Sequence, residues 1–171
     1  MNKTILVTYA SKHGATAEIA KKIGETLTQA GLRVALAEAK KVRDLSPYQA
    51  VVLGSAVYYG QWRKDAVRLL KSNEQILADK PTWLFSSGPA GEGDPVELLN
   101  GWRFPPRQQE IADRIRPRDI AVFRGAVIPE KLSGFEKWVL NNVKSPVGDF
   151  RDWDAITAWA NEVAAEIQKI D

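Results

Sequence analysis

Short apolar runs alternate with segments of helical periodicity along almost the whole chain. After Ile5–Val7, the residues Ile19, Ile23 and Leu27 recur every four positions, as on one face of a helix. Five runs of this kind are predicted to be strands: 5–7, 33–37, 50–53, 81–85 and 119–123. Strands that alternate with helices predict an α/β fold with an open, parallel, doubly wound sheet and helices on both faces.

The remaining segments are divided between helices and one long loop. Beyond the first helix, further helices are predicted at 64–78, 107–115, 133–143 and 153–169, the last with Asp152 as its N-cap. The segment 90–107 is rich in glycine and proline and is predicted to be a loop. The fifth strand is expected to run on toward Ile128.

Composition excludes several kinds of chemistry. The chain has no cysteine and one histidine, which excludes disulfides, iron–sulfur clusters, thiol catalysis and multi-histidine metal sites. A net charge of +3 is too weak to indicate nucleic-acid binding. A length of 171 residues suits a single domain over 1–171. Because Ile5–Val7 is too short for a signal peptide and no apolar run approaches a spanning length, a soluble cytoplasmic protein is expected.

The loop after the first predicted strand carries groups that bind an anion. In an open parallel sheet, ligands bind beyond the carboxyl ends of the strands. Ser11–Thr16 leads into a helix N-terminus, where backbone N–H groups lack helical acceptors, and its two hydroxyls and Lys12 add further donors. The loop is a candidate phosphate site, with an ordinary strand–helix turn as the alternative. It matches neither a Walker motif nor G-x-G-x-x-G.

Two further loops at the same edge carry aromatic and small residues. The segment 54–62 contains two tyrosines and a tryptophan, which would hold a planar ligand or else pack on the next helix. The segment 86–94 is rich in serine and glycine, so a ring edge would approach its backbone unless it is simply a mobile surface loop. Trp62 and Trp102, beside these loops, are candidates to line a substrate cleft.

Together the three loops resemble the flavodoxin pattern. The run 11–16 is similar to the flavodoxin phosphate loop, in which a hydroxyl residue opens and Gly-x-Thr closes. The resemblance narrows to the flavodoxin-like menaquinone-dependent protoporphyrinogen oxidases and their bacterial relatives, through the runs 51–60, 122–126 and 148–153. It spans nearly the whole chain, and it implies the strand order 2-1-3-4-5 and FMN as the cofactor.

The resemblance also assigns residues to FMN. The phosphate would be bound by Ser11, Lys12, His13, Gly14, Ala15 and Thr16. The ring would contact Val57, Tyr58, Tyr59 and Gly60 on one side and Ser87, Gly88 and Pro89 on the other. No side chain is expected to act as a catalytic acid or base, because the flavin carries the redox chemistry.

The function implied is an FMN-dependent oxidoreductase that passes electrons between an organic substrate and a quinone-type acceptor. Protoporphyrinogen oxidation is the named example. The alternative is a flavodoxin-type electron carrier without its own substrate; typical carriers are strongly acidic, and a net charge of +3 weighs against that role. A fold relative without cofactor is a third interpretation, which the intact Ser-x-x-Gly-x-Thr loop disfavours.

The segment 133–143 carries an apolar stripe flanked by lysines. Phe135, Trp138, Val139 and Val143 form this stripe. We expect a crossover helix that packs on the sheet. The alternative is weak peripheral membrane contact, which would place the protein at the inner face of the membrane.

Isolated polar and aromatic residues receive simpler interpretations. His13 is expected to act through its backbone or to face solvent. Helix capping and a local ion pair are preferred to a metal site for Asp149, Asp152 and Asp154, with Arg151. Three tryptophans are expected in the core: Trp83, Trp153 and Trp159.

Overall fold

A central parallel sheet lies between two layers of helices in the computed structural model, which describes residues 3–143 and 146–170. The strands are β1 Thr4–Ala10, β2 Arg33–Glu38, β3 Tyr48–Tyr58, β4 Gln61–Trp62, β5 Thr82–Ser87, β6 Asp119–Phe123, β7 Ala126–Val127 and β8 Gly148–Asp149. The helices are α1 Ala15–Gln29, α2 Lys64–Ser72, α3 Glu74–Asp79, α4 Pro95–Leu98, α5 Gln109–Ile115, α6 Gly134–Val143 and α7 Trp153–Gln168. Short 3-10 turns cover Ala39–Lys41, Pro106–Gln108 and Pro129–Lys131.

The sheet has the strand order β2-β1-β3-β5-β6, and every neighbouring pair along this path is parallel. This confirms the predicted order, since β5 and β6 are the fourth and fifth predicted strands. Val7 of β1 lies opposite Leu36 of β2 and Val52 of β3. The chain order reverses at β1, which opens a crevice beyond the carboxyl ends of β1 and β3.

Both faces of the sheet are covered, and this explains why its strands are continuous apolar runs. On one face, α1 and α7 bury Ile23, Trp159 and Val163 against the strands. On the other face, α2, α3 and α5 bury Leu69, Leu77 and Ile111. Trp83 and Trp159 lie in the core as predicted, but Trp153 does not, because its ring is partly exposed beside Arg151.

Several element boundaries differ from the prediction. The third strand extends to Tyr58 and turns back through Tyr59 and Gly60 into β4, so the predicted loop 54–62 is largely a β-hairpin. Both turn residues have positive φ, which matches the twist of a tight hairpin. The predicted helix 64–78 breaks at Asn73, whose side-chain amide donates to the Leu69 carbonyl. Local bonding of this kind competes with helix continuation.

The predicted loop 90–107 also contains structure. Asp94 caps α4 by accepting the N–H groups of Val96 and Glu97. The 3-10 turn Pro106–Gln108 then leads into α5, which begins two residues later than predicted.

The fifth predicted strand does not continue to Ile128. It ends at Phe123, and the short strands β7 and β8 then pair antiparallel in a separate small sheet. This pair closes the base of a chain excursion that leaves the main sheet and contains α6; its described residues are 128–143 and 146–147. Phe150 N–H reinforces the base by donating to the Gly125 carbonyl.

The excursion corrects the expectation for 133–143. None of the residues of α6 is buried, and Phe135 and Trp138 are 68% and 62% exposed. The helix therefore does not pack on the sheet as a crossover helix. Among the described residues, no helix is long and apolar enough to cross a membrane.

Gly54 gives a stringent test of the sheet packing. It lies opposite Phe85 in the register, and a Cβ atom at this position would be 2.0 Å from Phe85 Cζ. Because the Phe85 ring is fully buried, we expect Gly54→Ala to lower the free energy of unfolding by about 2 kcal/mol or more. Urea denaturation followed by circular dichroism measures the change.

The matched control is Gly24→Ala, in the middle of α1. There the new methyl group would make an ordinary contact of 3.6 Å with Val34, and alanine is the better helix former by roughly 1 kcal/mol. This variant should be as stable as the wild type or more stable. Equal stability of both variants would contradict the register of β3 and β5.

Candidate functional site

A cleft of about 390 Å³ lies at the carboxyl ends of β1, β3 and β5 and brings the three predicted loops together. The predicted site residues that line it are Ser11, His13, Ala15, Thr16, Val57, Tyr58, Tyr59, Ser87 and Gly88. Four others lie beside the cleft without lining it: Lys12, Gly14, Gly60 and Pro89. Strand polarity and order alone explain this convergence, because all three loops leave parallel strands at the same edge.

The first loop presents unpaired backbone donors to the cleft. The first backbone bond of α1 runs from Glu18 N–H to the Gly14 carbonyl, so the N–H groups of residues 15–17 have no helical acceptor. Ser11 Oγ accepts the Gly14 N–H at 3.0 Å and fixes the turn. Thr16 lines the cleft and is almost fully buried. This donor set suits a phosphate group.

Glycines bring the third loop close to the second. A Cβ atom on Gly88, whose φ is +151°, would lie 3.1 Å from the Val57 carbonyl oxygen. A Cβ on Gly125 would lie 2.8 Å from the Gly88 Cα. The Gly125 N–H also donates to the Pro89 carbonyl at 3.0 Å. Side chains at Gly88 or Gly125 would therefore force the two walls of the cleft apart.

Tyr58 stands at the junction of the first two loops. The Lys12 ammonium and the Arg63 guanidinium lie 5.8 and 5.7 Å from its ring centroid, within range of cation–π attraction. The His13 ring meets it edge-on. Burial raises the pKa of the Tyr58 phenol, with Arg63 acting in the opposite direction, so the phenol stays protonated at neutral pH.

Glu136 of α6 joins the excursion to the first loop. One carboxylate oxygen lies 2.8 Å from His13 Nε2, and the other lies 3.2 Å from Lys12 Nζ. The hydrogen bond from His13, with others from Lys12 and Ser133, lowers the pKa of Glu136 to about 2, although partial burial opposes this. The His13 side chain is therefore engaged in a specific contact and does not simply face solvent.

The excursion and β7 at its base also form an apolar wall of the cleft, to which no function was assigned from the sequence. This wall consists of Ala126 and Val127 of β7, with Ile128, Leu132, Val139, Leu140 and Val143 of the excursion. The predicted stripe on 133–143 is thus divided: Val139 lines the cleft, Val143 lies at its edge and is largely exposed, and Phe135 and Trp138 stack on each other in solvent. The apolar spacing within the segment was visible in the sequence, but nothing in it showed which partner it faces.

Neither tryptophan proposed for a substrate cleft lines this one. Trp62 is buried against Phe104, with ring centroids 4.8 Å apart, and its Nε1 donates to Ser86 Oγ. It fills the core under the hairpin. Trp102 is half-buried in the segment that follows α4.

The aspartates near the start of α7 serve structural roles. Asp152 accepts the Ala155 N–H as the N-cap of α7, as predicted. Arg151 pairs with Asp149 at 2.7 Å and also contacts Glu18 of α1. Within 3–143 and 146–170, no group of three or more acidic or histidine side chains has the arrangement of a metal site.

The cleft fits FMN in three respects. Its polar end offers the N–H groups and hydroxyls that hold a phosphate. In its middle, Gly88 lies against the Val57 backbone and has no side chain, so a ring edge could approach the backbone there. Its far end is apolar.

Many solved structures of flavodoxins have the same fold as this protein. Oxidised flavodoxin 2 from Bacillus cereus superposes with a TM-score of 0.60 at 20% identity, covering 97% of this chain and 99% of that chain. A flavodiiron core from Synechocystis gives a TM-score of 0.64 at 15% identity, covering 99% of this chain and 37% of that chain. At these identities the likeness shows the fold.

A curated relative shares its sequence over nearly the full length. Protoporphyrinogen IX dehydrogenase (quinone) of Escherichia coli strain K12 is 19% identical over 170 residues, which cover 93% of each protein.

A family model supplies the assignment. The model described as the flavodoxin domain matches residues 6–154, which include all three loops and the whole excursion. FMN is the cofactor of that family. The protein therefore belongs to the flavodoxin family.

Proposed function

We propose that residues 1–171 form one FMN-binding domain that acts as an oxidoreductase between an organic substrate and a quinone-type acceptor. The observation that carries the proposal is the apolar wall of the cleft, which the excursion contributes next to the three loops. A carrier that exchanges electrons with other proteins has no need of such a wall. The name of the Escherichia coli relative, a quinone-dependent dehydrogenase, agrees with this choice.

The polar end of the cleft is proposed to hold the FMN phosphate. The residues assigned to it are Ser11, Lys12, His13, Gly14, Ala15 and Thr16. The backbone groups and hydroxyls of Ser11 and Thr16 are donors, and charge-assisted bonds of this kind contribute about 1.5–3 kcal/mol each. Gly14 caps α1 and lets the loop turn toward the phosphate.

The ring is proposed to lie between the second and third loops. It would contact Val57, Tyr58, Tyr59 and Gly60 on one side and Ser87, Gly88 and Pro89 on the other. Tyr59 is 80% exposed at the mouth of the cleft and has an unfavourable positive φ of 51°. Covering part of its exposed ring with a planar ligand would offset some of that cost.

The substrate is proposed to bind against the apolar wall formed by the excursion. When bound, FMN supplies two-electron chemistry, so that loss of two electrons and two protons by the organic substrate balances reduction of a quinone to its hydroquinone. The protein contributes apolar contacts and excludes water, and no side chain is assigned as an acid or base. Protoporphyrinogen IX is the substrate that the Escherichia coli relative suggests.

The exposed side of α6 is proposed to make weak peripheral contact with a membrane. Phe135 and Trp138 stack with ring centroids 6.1 Å apart and project away from the cleft, and Lys137 adjoins them. Since the opposite side of the same helix lines the cleft, an apolar quinone dissolved in the bilayer would reach the site directly. The location proposed with this function is the cytoplasm, at the inner face of the membrane.

Loss of the Thr16 hydroxyl should weaken FMN binding. We expect Thr16→Ala to raise the Kd for FMN by roughly tenfold or more, because one charge-assisted hydrogen bond is removed. Quenching of flavin fluorescence on titration measures the Kd. Thr28→Ala on the same helix, where the hydroxyl bonds to the Gly24 carbonyl, should leave it unchanged. Equal affinity of the Thr16 variant and the wild type would show that the phosphate lies elsewhere.

Removing apolar surface from the cleft should impair quinone turnover. With FMN bound and protoporphyrinogen as the electron donor, we expect the wild type to reduce menadione. Leu140→Ser should raise the KM for menadione by about fivefold, because it removes apolar contact that contributes roughly 1 kcal/mol. Leu98→Ser, on a partly exposed leucine of α4 outside the cleft, is the control. FMN-loaded protein that passes electrons to a redox protein but reduces no quinone would support the carrier instead.

Membrane contact should depend on the aromatic pair of α6. In sedimentation with vesicles that contain anionic lipid, we expect weak, salt-sensitive binding that Trp138→Ala reduces several-fold, because a large apolar side chain contributes about 1.5–3 kcal/mol when buried. Leu36→Ala, at another exposed apolar residue on the edge strand β2, should bind as the wild type does. Equal binding of all three proteins would refute the proposed contact.

A further inference from the structure

The first loop carries one lysine, Lys12, and its charge is already paired. Glu136 pairs with Lys12 Nζ at 3.2 Å and with His13 Nε2 at 2.8 Å. Because the pKa of Glu136 is lowered to about 2, its carboxylate is charged at neutral pH. The positive charge of this loop is therefore largely neutralised by α6. A phosphate monoester carries close to two negative charges at neutral pH, so a free cation beside the N–H donors of the loop would add to its attraction.

Lys131 is placed to supply that charge. Its ammonium nitrogen lies 3.9 Å from the point that a Cβ atom on Gly14 would occupy, at the tightest part of the first loop. The residue also lines the cleft. In the part of the chain that the structure describes, no carboxylate forms an ion pair with Lys131. An exposed lysine without a carboxylate partner, directed at an array of N–H donors, forms a complementary surface for an anion.

The backbone of the excursion holds Lys131 in this place. The residue ends the 3-10 turn Pro129–Lys131, in which its N–H donates to the Ile128 carbonyl. Immediately afterwards, Ser133 Oγ accepts the Glu136 N–H, and the Glu136 carboxylate faces the Ser133 N–H in return, as in a capping box. Since Glu136 is tied to the first loop, the turn that carries Lys131 is positioned against the same loop.

We propose that Lys131 is a further, cationic ligand of the FMN phosphate and that the excursion, through Lys131, is part of the cofactor site. The inference rests on the proposed function, which places the phosphate at residues 11–16. Two side chains of the excursion then have separate roles. Glu136 neutralises the charge of Lys12, and Lys131 pairs with the phosphate. The chain thereby prefers FMN to riboflavin, which lacks the phosphate.

The affinity for FMN at two ionic strengths tests this assignment. We expect Lys131→Ala to raise the Kd for FMN by about tenfold at low salt. This is near the smallest effect expected for loss of a charge-assisted hydrogen bond, because the lysine is exposed. The difference should shrink to about twofold near 0.5 M salt, where such charges are screened. The Kd for riboflavin should be the same in both proteins, and Lys131→Arg should retain most of the affinity for FMN.

Lys137→Ala is the matched control, since it removes the same charge from the adjacent helix outside the cleft. It should bind FMN as the wild type does. If the wild type binds FMN and Lys131→Ala binds it equally well, or if the loss is the same for riboflavin, the role of Lys131 is refuted while the FMN site stands. A wild type that binds no FMN would refute the proposed function and this inference together.

Discussion

The reversal of strand order at β1 is the constraint on which the rest of the structure depends. Because β2 and β3 lie on opposite sides of β1, the connections that leave β1 and β3 run to opposite faces of the sheet. A crevice therefore opens between them, and it is bordered by backbone that has no partner in the sheet. The three loops at that edge need no mutual affinity to meet, since the parallel sheet beneath them sets their spacing.

A second level of organisation depends on one carboxylate. The excursion leaves the sheet through a pair of two-residue strands and buries none of the residues of α6, so the hydrophobic core does little to orient it. Glu136 provides the connection, through Lys12 and His13. This contact holds α6 beside the first loop, where the helix forms part of the wall of the cleft. It also explains how one side of α6 lines the cleft while the other remains in solvent.

Local patterns were sufficient to predict the sheet. Apolar runs such as Ile5–Val7 are covered on both faces and appear as strands, and the helices follow from their four-residue spacing. The predicted ends of the strands and helices were less accurate than their existence and type. The strand β3 runs five residues past its predicted end at Leu53, because Ser55 and Tyr58 do not look like buried strand residues in isolation. The break at Asn73 depends on one side-chain hydrogen bond, which periodicity cannot show.

The sequence by itself determined the α/β class, the strand order through its likeness to flavodoxins, and the three segments that meet at the cleft. Those features depend on residues that are near one another in the chain or on the geometry of a parallel sheet. Only the tertiary structure decided where the excursion goes. His13 and Glu136 are 123 positions apart, and no local pattern encodes their pairing. The apolar wall, the pairing of Lys12 and the position of Lys131 all depend on contacts between distant parts of the chain, because these orient a segment that has no place in the core.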